Sequence, residues 1–246
     1  MKIALLNIYT SNIKELSIIT IEYNKRKYCE KYGYDHIIQK DNFSLPHLGF
    51  EKLAFIKRTL QTGKYDWVFW CGSDTMITNY NIKLEDIIGN QSDPYCMIIA
   101  PDVWDWNSDS MLFKNDPKTI AFLDLIISRY DKYVDKEGKP YSNNVYLKDG
   151  CVVAWGEQAA LIEECKGKYF SPELKPEYKD FVKEVPQKTM NSYLYQLYPT
   201  PFHAQKKDYL GNNGEWSDGD FLMHWPGTRN DVRIKIALNT IQFVKE

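Results

Sequence analysis

The first part of the chain alternates strand-like runs with segments of helical period, and this order constrains the fold more than any other feature. Residues 2–8, 35–39 and Trp67–Cys71 have the length and composition of strands. Between them, apolar residues recur at helical spacing over residues 13–31 and 50–60. This β-α-β-α-β order indicates a mostly parallel central sheet flanked by helices, and therefore an α/β fold. Such folds bind ligands beyond the carboxyl ends of their strands.

The remainder of the chain continues the alternation with longer polar connections. Residues 131–144 are polar and residues 171–188 have no clear period, so both are predicted to be irregular. No repeat and no sharp change of composition divides the sequence, so residues 1–246 are predicted to form one domain. The other predicted elements are strands at 97–100, 110–114 and Cys151–Ala154, and helices over 117–133, from Gly156, and over 228–244.

Composition narrows the classes of function. Lys and Arg number 31 against 33 Asp and Glu, and the formal charge of −2 disfavours nucleic acid or an anionic membrane as a partner. No apolar run reaches the roughly 18 residues of a membrane span, and the amino terminus lacks a small-residue cleavage site. The five cysteines form no CxxC pair and lie mostly in apolar runs, as buried thiols do in a reducing compartment. A cytoplasmic protein without a membrane span is therefore predicted.

Four motifs of large enzyme classes do not occur in the sequence. They are the GxxxxGK[ST] phosphate loop, the GxGxxG dinucleotide loop, the HExxH zinc helix and the GxSxG nucleophile elbow. Their absence disfavours the classes that depend on them.

An aspartate follows the most apolar predicted strand. Residues 66–77 read DWVFWCGSDTMI, so Asp74 lies in a turn just past Trp67–Cys71. One candidate role for this carboxylate is to bind Mg²⁺ or Mn²⁺, which bridges the protein to the diphosphate of a nucleotide sugar. The other is to cap the following turn. The segment alone leaves both roles open.

Two further segments place polar side chains beside apolar strands. His224 ends an apolar run and Arg229 follows it, and a neutral imidazole binds metals while an arginine at a helix start pairs with phosphate. Glu157 and Gln158 open a helix directly after a strand, where a carboxylate and an amide can hold sugar hydroxyls. The alternatives are a hydrogen-bonded core histidine and a glutamate favoured by the helix dipole.

In their order and spacing, six segments resemble glycosyltransferase family 34, the α-1,6-galactosyl-, α-1,6-mannosyl- and xyloglucan α-xylosyltransferases. The resemblance covers nearly the whole chain, and the order of the segments makes it specific. The segments are residues 24–34 (similar to NK..YC..HGY), 51–70 (a K-L…I helix and WVWW strand), 107–115 (NTGSFLLRN), 155–161 (W.(D/E)Q.AL), 185–193 (VPQ…NSY) and 219–229 (GDF..H..GC(K/R)).

The resemblance implies a GT-A fold, a nucleotide-sugar donor, a glycan acceptor, and a metal held by two aspartates of a DxD motif and a later histidine. Asp74 matches the second aspartate and His224 the histidine, whereas Gly72 stands at the first. The implied cofactor is therefore Mn²⁺ or Mg²⁺ on Asp74 and His224, with water and phosphate oxygens completing the shell. A second departure is Asp109, where the family usually has Gly.

The resemblance also implies residue roles. The family retains anomeric configuration, and the leaving phosphate itself deprotonates the acceptor hydroxyl. Gln158 is expected to stabilise an oxocarbenium ion and Glu157 to bind sugar hydroxyls, while Arg229 matches a residue that contacts the diphosphate. The predicted catalytic residues are Asp74, Glu157 and Gln158. The predicted donor site is Tyr9, Thr10, Asn12, Lys52, Ser73, Asp74, His224, Gly227 and Arg229, and the predicted acceptor site is Asp102, Trp104 and Asn107. Trp104 and Trp106 are candidates to stack on the acceptor, with packing within their loop as the alternative.

Two other functions stay open at this point. The missing aspartate at position 72 is compatible with a nucleotide-sugar or carbohydrate-binding protein of the same fold with little or no turnover. A nucleotidyltransferase or sugar-nucleotide pyrophosphorylase should carry a Gly-rich basic loop after the first strand, and residues 9–14 are not such a loop. Family members are usually anchored in the Golgi membrane. Because no anchor is visible here, a bacterial or virus-encoded enzyme that makes surface glycan is predicted.

Overall fold

A computed structural model describes residues 1–148, 150–197 and 203–246 of the chain. The strands, numbered along the chain, are β1 (Ile3–Tyr9), β2 (Asp35–Lys40), β3 (Trp67–Cys71), β4 (Thr75–Ile77), β5 (Met97–Pro101), β6 (Trp106–Lys114), β7 (Tyr146–Lys148), β8 (Cys151–Ala154), β9 (Val182–Glu184), β10 (Ser192–Tyr193) and β11 (Leu222–His224). The α-helices are α1 (Lys14–Ser17), α2 (Arg26–Tyr32), α3 (Leu48–Gln61), α4 (Leu84–Ile88), α5 (Pro117–Ser128), α6 (Tyr130–Tyr133), α7 (Gly156–Lys166), α8 (Gln187–Met190) and α9 (Asn230–Thr240). Within these described ranges, no helix has both the length and the apolar character needed to cross a membrane.

The largest sheet has the strand order β2-β1-β3-β6-β5-β9. β1 pairs in parallel with β2 and β3, and β5 pairs in parallel with β9. Only β6 runs antiparallel to its neighbours in this sheet, β3 and β5. The predicted mostly parallel sheet flanked by helices is therefore confirmed.

The central strands are buried because helices cover both faces of the sheet. β1 and β3 are buried along their whole length and, apart from Asn7 of β1, consist of apolar and aromatic residues. On one face, α3 contributes Phe50, Leu53 and Ile56, which are fully buried in a cluster that also contains side chains of α7. On the other face, Tyr28 of α2 belongs to a second cluster with residues of β1, β3 and α4. Burial of each such side chain contributes about 1.5–3 kcal/mol to folding, which fixes the sheet as a rigid base for its end loops.

The first half of the chain follows the sequence prediction closely. The helical stretch predicted over residues 13–31 is present, but α1 and α2 are joined by a π-helix, Ile18–Lys25. α2 ends where Gly33 adopts the left-handed conformation with φ of 69°, as its position predicts. Long π-helices are rare and often mark functional sites. Here the π-helix ends at Lys25, a fully buried residue beneath the turn after β3.

The second half departs more from the prediction. The helix predicted over residues 117–133 ends at Ser128, and Arg129 separates it from α6. β6 begins at Trp106 rather than at residue 110, and the final α-helix ends at Thr240. Residues 171–188, predicted to be irregular, contain β9, because an edge strand of three residues is too short to show a period.

A small sheet of β10, β11 and β4 brings a distant part of the chain to the end of β3. In its register, His224 of β11 lies opposite Thr75 of β4, the residue that follows Asp74. The backbone N–H of Trp225 also donates to the carbonyl of Asp74 at 3.0 Å. This pairing makes Asp74 and His224 neighbours although they are far apart in sequence.

Candidate active site

A cavity of about 700 Å³ lies where β1 and β3 end and β6 begins. Mostly parallel α/β sheets bind ligands at this edge, and the volume is typical of small-molecule sites. The predicted site residues that line the cavity are Tyr9, Lys52, Ser73, Asp74, Asp102, Trp104, Asn107, Glu157, Gln158 and Gly227. The structure therefore gathers most of the predicted donor, acceptor and catalytic residues around one cavity.

Apart from His224, which is fully buried next to Asp74, three predicted donor residues lie outside the cavity lining. Thr10 and Asn12 contact each other through their side chains on the loop after β1. Arg229 lies on the surface, where its side chain is 82% exposed and pairs with Asp231 at 3.0 Å. The structure does not bring these three residues to the cavity.

Trp106, which the sequence suggests as an acceptor-stacking ring, is fully buried. Its indole N–H donates to Glu184, and the ammonium of Lys166 lies 4.5 Å from the centre of its ring. Because one face of the ring is covered and no part of it is exposed, this prediction is wrong. Trp106 belongs to the core beneath the acceptor side.

A buried lysine holds the turn that carries Asp74. Lys25 Nζ donates to the carbonyl oxygens of Gly72 at 2.9 Å, Thr75 at 2.8 Å and Thr20 at 3.2 Å. Burial lowers the pKa of Lys25. Three carbonyl acceptors compensate the buried donor and fix the path of the turn. The position of Asp74 is therefore set before any ligand binds.

Asp74, Asp109 and His224 form a cluster beside the cavity. His224 Nε2 lies 3.6 Å from Asp74 Oδ1 and 3.8 Å from Asp109 Oδ2, and the three ligand atoms lie within 4.8 Å of one another. Atoms bound to one Mg²⁺ ion at about 2.1 Å are separated by about 3.0–4.2 Å, depending on the angle between them. The distances from His224 Nε2 to the two carboxylate oxygens, 3.6 and 3.8 Å, fall within that range.

The hydrogen bonds of Asn191 fix the tautomer of His224. Asn191 Nδ2 donates to the carbonyl of Pro101 at 3.0 Å, so its Oδ1 faces His224 and accepts from Nδ1–H at 2.7 Å. Nε2 therefore carries the lone pair, and this fully buried atom has no hydrogen-bond partner. Metal-binding histidines are commonly oriented by such a bond from their other nitrogen.

The cluster of Asp74, Asp109 and His224 needs a cation between its two carboxylates and the imidazole. Two carboxylate oxygens that face an imidazole lone pair repel it unless a cation lies between them, either a proton on Nε2 or a metal ion. The distances of 3.6 and 3.8 Å are too long for hydrogen bonds, so the space suits a larger cation. Carboxylate oxygens with one imidazole nitrogen also suit Mn²⁺ or Mg²⁺. The residues present therefore fit the Mn²⁺ or Mg²⁺ that the sequence resemblance implies.

Arg233 holds the second oxygen of Asp74. Arg233 Nη2 donates to Asp74 Oδ2 at 2.7 Å, and its Nε donates to the carbonyl of Trp225 at 3.3 Å. The side chain of Arg233 is 17% exposed, and the residue lines the cavity. A guanidinium in this place balances the carboxylate and also faces the ligand space.

Lys52 and Glu157 form a buried ion pair beside the cluster. Lys52 Nζ lies 2.8 Å from Glu157 Oε1, donates to the carbonyl of Ser108 at 2.8 Å and lies 3.4 Å from Asp109 Oδ1. Burial opposes the charge of Lys52, but the two carboxylates raise its pKa above the usual value. Burial likewise opposes the charge of Glu157, but Lys52 and His47 lower its pKa. Both groups are charged at neutral pH.

Glu157 and Gln158 are held by hydrogen bonds at the cavity wall. Glu157 Oε1 accepts from Ser108 Oγ at 2.9 Å. Gln158 Oε1 accepts from Ser108 N at 3.3 Å, and its Nε2 donates to the carbonyl of Val153 at 3.3 Å. A Cβ at Gly49 would lie 1.8 Å from Glu157 Oε2, so a larger residue at this position would displace the Glu157 carboxylate. Both side chains are therefore preorganised.

The predicted acceptor residues form a second buried network. Asp102 accepts from the backbone N–H of Trp104 at 2.7 Å, from the Tyr193 hydroxyl at 2.8 Å and from Asn107 Nδ2 at 3.3 Å. Burial raises the pKa of Asp102, although these bonds oppose the rise. Trp104 is 7% exposed, whereas Trp155, also on the cavity lining, is 45% exposed. Trp155 is thus the more accessible ring.

Three residues of the site were not predicted from the sequence: Asn191, Arg233 and Asp109. Asp109 was noticed in the sequence, but not as a partner of Asp74. Asp109 was visible as a departure from the family pattern, but its neighbours depend on the pairing of β6 with β3. Asn191 lies in the segment similar to NSY, which carries no chemical signal by itself. Arg233 follows Arg229 by about one helical turn, so a second basic residue at the start of α9 was the available signal.

Comparisons with known proteins agree with the fold. Residues 4–93 match the sequence model of the galactosyl transferase GMA12/MNN10 family. The chain is similar to a glycosyltransferase involved in the glycosylation of the major capsid of PBCV-1, with a TM-score of 0.66 and 14% identity over 97% of this chain and 100% of that chain. It is also similar to galactosyltransferase LgtC in complex with donor and acceptor sugar analogs, with a TM-score of 0.53 and 10% identity over 98% and 95% of the two chains. A third similar structure is mouse xyloside xylosyltransferase 1, with a TM-score of 0.51 and 9% identity over 92% and 98%.

A comparison with curated proteins finds no match. At identities of 9% to 14%, the structural likeness shows the fold, and it extends over nearly the whole chain. The family match covers β1, β2, β3 and the turn that carries Asp74. The chain therefore has the GT-A fold of these glycosyltransferases, and its residues 4–93 match the GMA12/MNN10 galactosyl transferase family.

Proposed function

We propose that this chain, as one catalytic domain, transfers a sugar from a UDP- or GDP-sugar to a hydroxyl group of a glycan, with retention of the anomeric configuration. The observation that carries the proposal is the cluster of Asp74, Asp109 and the unpartnered Nε2 of His224 at the edge of the cavity. A nucleotide sugar offers the diphosphate that such a site would bind through a metal. The volume of about 700 Å³ accommodates a ligand of that size.

Mn²⁺ or Mg²⁺ would be held by Asp74 and His224. When bound, the ion neutralises the diphosphate and makes the nucleoside diphosphate a better leaving group. Asp74 and His224 would hold the ion in a fixed place, because Lys25 anchors the turn of Asp74 and Asn191 orients the imidazole of His224. Tyr9, Ser73 and Gly227 line the space in which we place the rest of the donor.

The proposed reaction exchanges one bond at the anomeric carbon for another on the same face of the sugar. The bond from the anomeric carbon to the diphosphate oxygen breaks, and a bond to the acceptor oxygen forms. The proton of the acceptor hydroxyl passes to the leaving phosphate oxygen. Gln158 would stabilise the positive charge on the sugar through its oriented Oε1, and the Lys52–Glu157 pair would position the sugar hydroxyls. Asp102, Trp104 and Asn107 would bind the acceptor.

The test measures transfer directly. The purified protein is incubated with UDP- and GDP-sugars and oligosaccharide acceptors, with Mn²⁺ or with EDTA, and released nucleotide is assayed. We expect release that depends on donor, acceptor and metal, and a product whose anomeric proton signals show retention by NMR. Tight binding in calorimetry without release would instead favour a binding protein. Release of pyrophosphate would indicate nucleotidyl transfer.

We expect Arg233 to contact the diphosphate. Among the described residues that line the cavity, the arginines and lysines are Arg233 and Lys52, and Glu157 already neutralises Lys52. Arg233 lines the cavity and uses Nη2 to hold Asp74 Oδ2, and the guanidinium has further N–H groups available to phosphate. Hydrogen bonds to charged groups contribute about 1.5–3 kcal/mol, so Arg233→Met should weaken UDP or GDP binding by about tenfold or more in calorimetry.

Arg229→Met is the matched comparison for Arg233→Met. Arg229 was assigned to the diphosphate from the resemblance, but its side chain is 82% exposed and paired with Asp231. We expect its replacement to change the dissociation constant less than about threefold, as is usual for exposed ion pairs. If Arg229→Met weakened nucleotide binding more than Arg233→Met, Arg229 rather than Arg233 would be the residue that contacts the diphosphate.

The proposed setting is the cytoplasm of a bacterial or virus-infected cell that makes surface glycan. Cys29, Cys71, Cys96 and Cys165 are buried free thiols. Free thiols persist in a reducing compartment, where disulfides are rare. The nucleotide-sugar donor would be taken from the same compartment.

A further inference from the structure

We infer that Asp109 supplies the carboxylate that position 72 lacks, so that the divalent-cation site is built from Asp74, Asp109 and His224. The inference rests on the proposed function, since it concerns the metal of that site. It assigns to β6 a ligand that the family resemblance implies at the end of β3.

The first support is the position of Asp109 across the sheet from Gly72. β3 and β6 are antiparallel, with Cys71 opposite Ser110, and the N–H of Gly72 donates to the carbonyl of Asp109 at 2.8 Å. A Cβ placed on Gly72 would lie 3.3 Å from the Cβ of Asp109 and 3.0 Å from Asp74 Oδ1. Side chains at positions 72 and 109 would therefore enter the same space, and glycine at 72 leaves it to Asp109.

The second support is the direction of the carboxylate oxygens. The outer oxygen of each aspartate faces a cation: Asp74 Oδ2 lies 2.7 Å from Arg233 and Asp109 Oδ1 lies 3.4 Å from Lys52. The inner oxygens, Asp74 Oδ1 and Asp109 Oδ2, both face His224 Nε2. Arg233 and Lys52 thus orient the carboxylates so that one oxygen of each remains for a ligand at the centre.

The third support is the buried nitrogen of His224. Nε2 is inaccessible to solvent and has no hydrogen-bond partner, and it lies 3.6 and 3.8 Å from one oxygen of each carboxylate. A buried polar atom without a partner costs about 1–3 kcal/mol, which a bound cation would offset. The side chain of Asp109 is 35% exposed, so the remaining coordination positions open to the cavity and to the oxygens of water or phosphate.

The test moves the carboxylate from one strand to the other. Asp109→Gly removes the ligand, and the double variant Gly72→Asp with Asp109→Gly returns a carboxylate from position 72. Glycine at 109 is needed in the double variant because the two β-carbons would otherwise be 3.3 Å apart. Asp109→Asn removes the charge with little change of shape and serves if the glycine variant does not fold. Asp218→Gly, which removes a carboxylate that is 63% exposed, is the control.

The readout is Mn²⁺ binding, measured by the loss of the free-ion EPR signal and by calorimetry, with Mn²⁺ alone and with UDP or GDP. We expect Asp109→Gly and Asp109→Asn to weaken Mn²⁺ binding at least about tenfold, since even residues that only support a metal ligand cost about 10–100-fold. The double variant should bind within about threefold of the parent, and Asp218→Gly should bind as the parent does.

Three results would overturn the inference: a parent protein that binds no Mn²⁺ under any of these conditions, an Asp109→Asn variant that binds as tightly as the parent, or a folded double variant no better than Asp109→Gly. Circular dichroism without metal identifies the folded variants. Because the readout does not involve transfer, Mn²⁺ binding that the Asp109 variants leave unchanged would overturn the inference and leave the proposed function standing. Conversely, failure of the parent to release nucleotide would not change the metal titrations.

Discussion

Asp74→Asn is expected to lower kcat/KM for sugar transfer by about 10²–10³-fold, the loss that follows removal of one preorganised electrostatic group from an active site. Asparagine has nearly the same shape, and its carbonyl oxygen can still accept from Arg233, which lies 2.7 Å from the aspartate oxygen. What it lacks is the negative charge that would hold a cation against the diphosphate. The effect should therefore appear in transfer more than in folding.

Initial rates of nucleotide release at saturating Mn²⁺ measure the effect of Asp74→Asn, and thermal unfolding shows whether the variant is folded. Asp124→Asn is a suitable control, because Asp124 is 54% exposed and pairs with Lys57 on the surface. A folded Asp74→Asn enzyme with kcat/KM within about threefold of the parent would remove Asp74 from the mechanism. In that case, any bound cation would have to be held by Asp109 and His224 without Asp74.

The sequence predicted those parts of the site that depend on local order. Asp74 was identified because the apolar strand before it is unmistakable, and a carboxylate just past such a strand lies at the ligand-binding edge of the sheet. Glu157 and Gln158 were identified for the same reason at the start of α7. The structure places all three on one cavity wall, as expected of the ends of neighbouring elements.

The sequence could not predict the parts that depend on strand pairing. The meeting of Gly72 and Asp109 requires that β6 run antiparallel beside β3 in one particular register, and neither segment specifies its partner. Asn191 acquires its role only because it contacts both Pro101 and His224. Trp106 failed as an acceptor residue for a related reason, because the side chain alternation of β6 turns it toward Lys166.

A second large effect is expected on stability, from Lys166→Met. Lys166 and Asp105 form an ion pair of 2.5 Å with both side chains fully buried beneath the acceptor network. Asp105 also accepts from the backbone N–H of Trp106, and Lys166 donates to the Tyr209 hydroxyl at 2.7 Å. Removing one partner leaves a buried charge without compensation, which costs about 3–5 kcal/mol. We expect a loss of that size in the free energy of unfolding at pH 8, measured with urea.

This loss should depend on pH in a definite direction. Burial raises the pKa of Asp105 to about 6 although Lys166 opposes the rise, so Lys166→Met should raise it further. A carboxyl whose folded pKa lies above its unfolded value near 3.8 holds its proton longer in the folded state, and stability therefore falls as pH rises through that window. The destabilisation by Lys166→Met should accordingly be larger at pH 8 than at pH 5, where Asp105 is mostly protonated in both proteins.

Lys136→Met provides the comparison for Lys166→Met, because Lys136 is 89% exposed and faces Glu137 at 3.6 Å. Its replacement should change the free energy of unfolding by less than about 0.5 kcal/mol at either pH. Equal losses for Lys166→Met at pH 5 and pH 8 would mean that the lost packing of the lysine stem, rather than the uncompensated charge of Asp105, sets the cost. A loss below about 1 kcal/mol at pH 8 would show that water reaches Asp105 once the lysine is gone, since only a solvated carboxylate avoids the cost of burial.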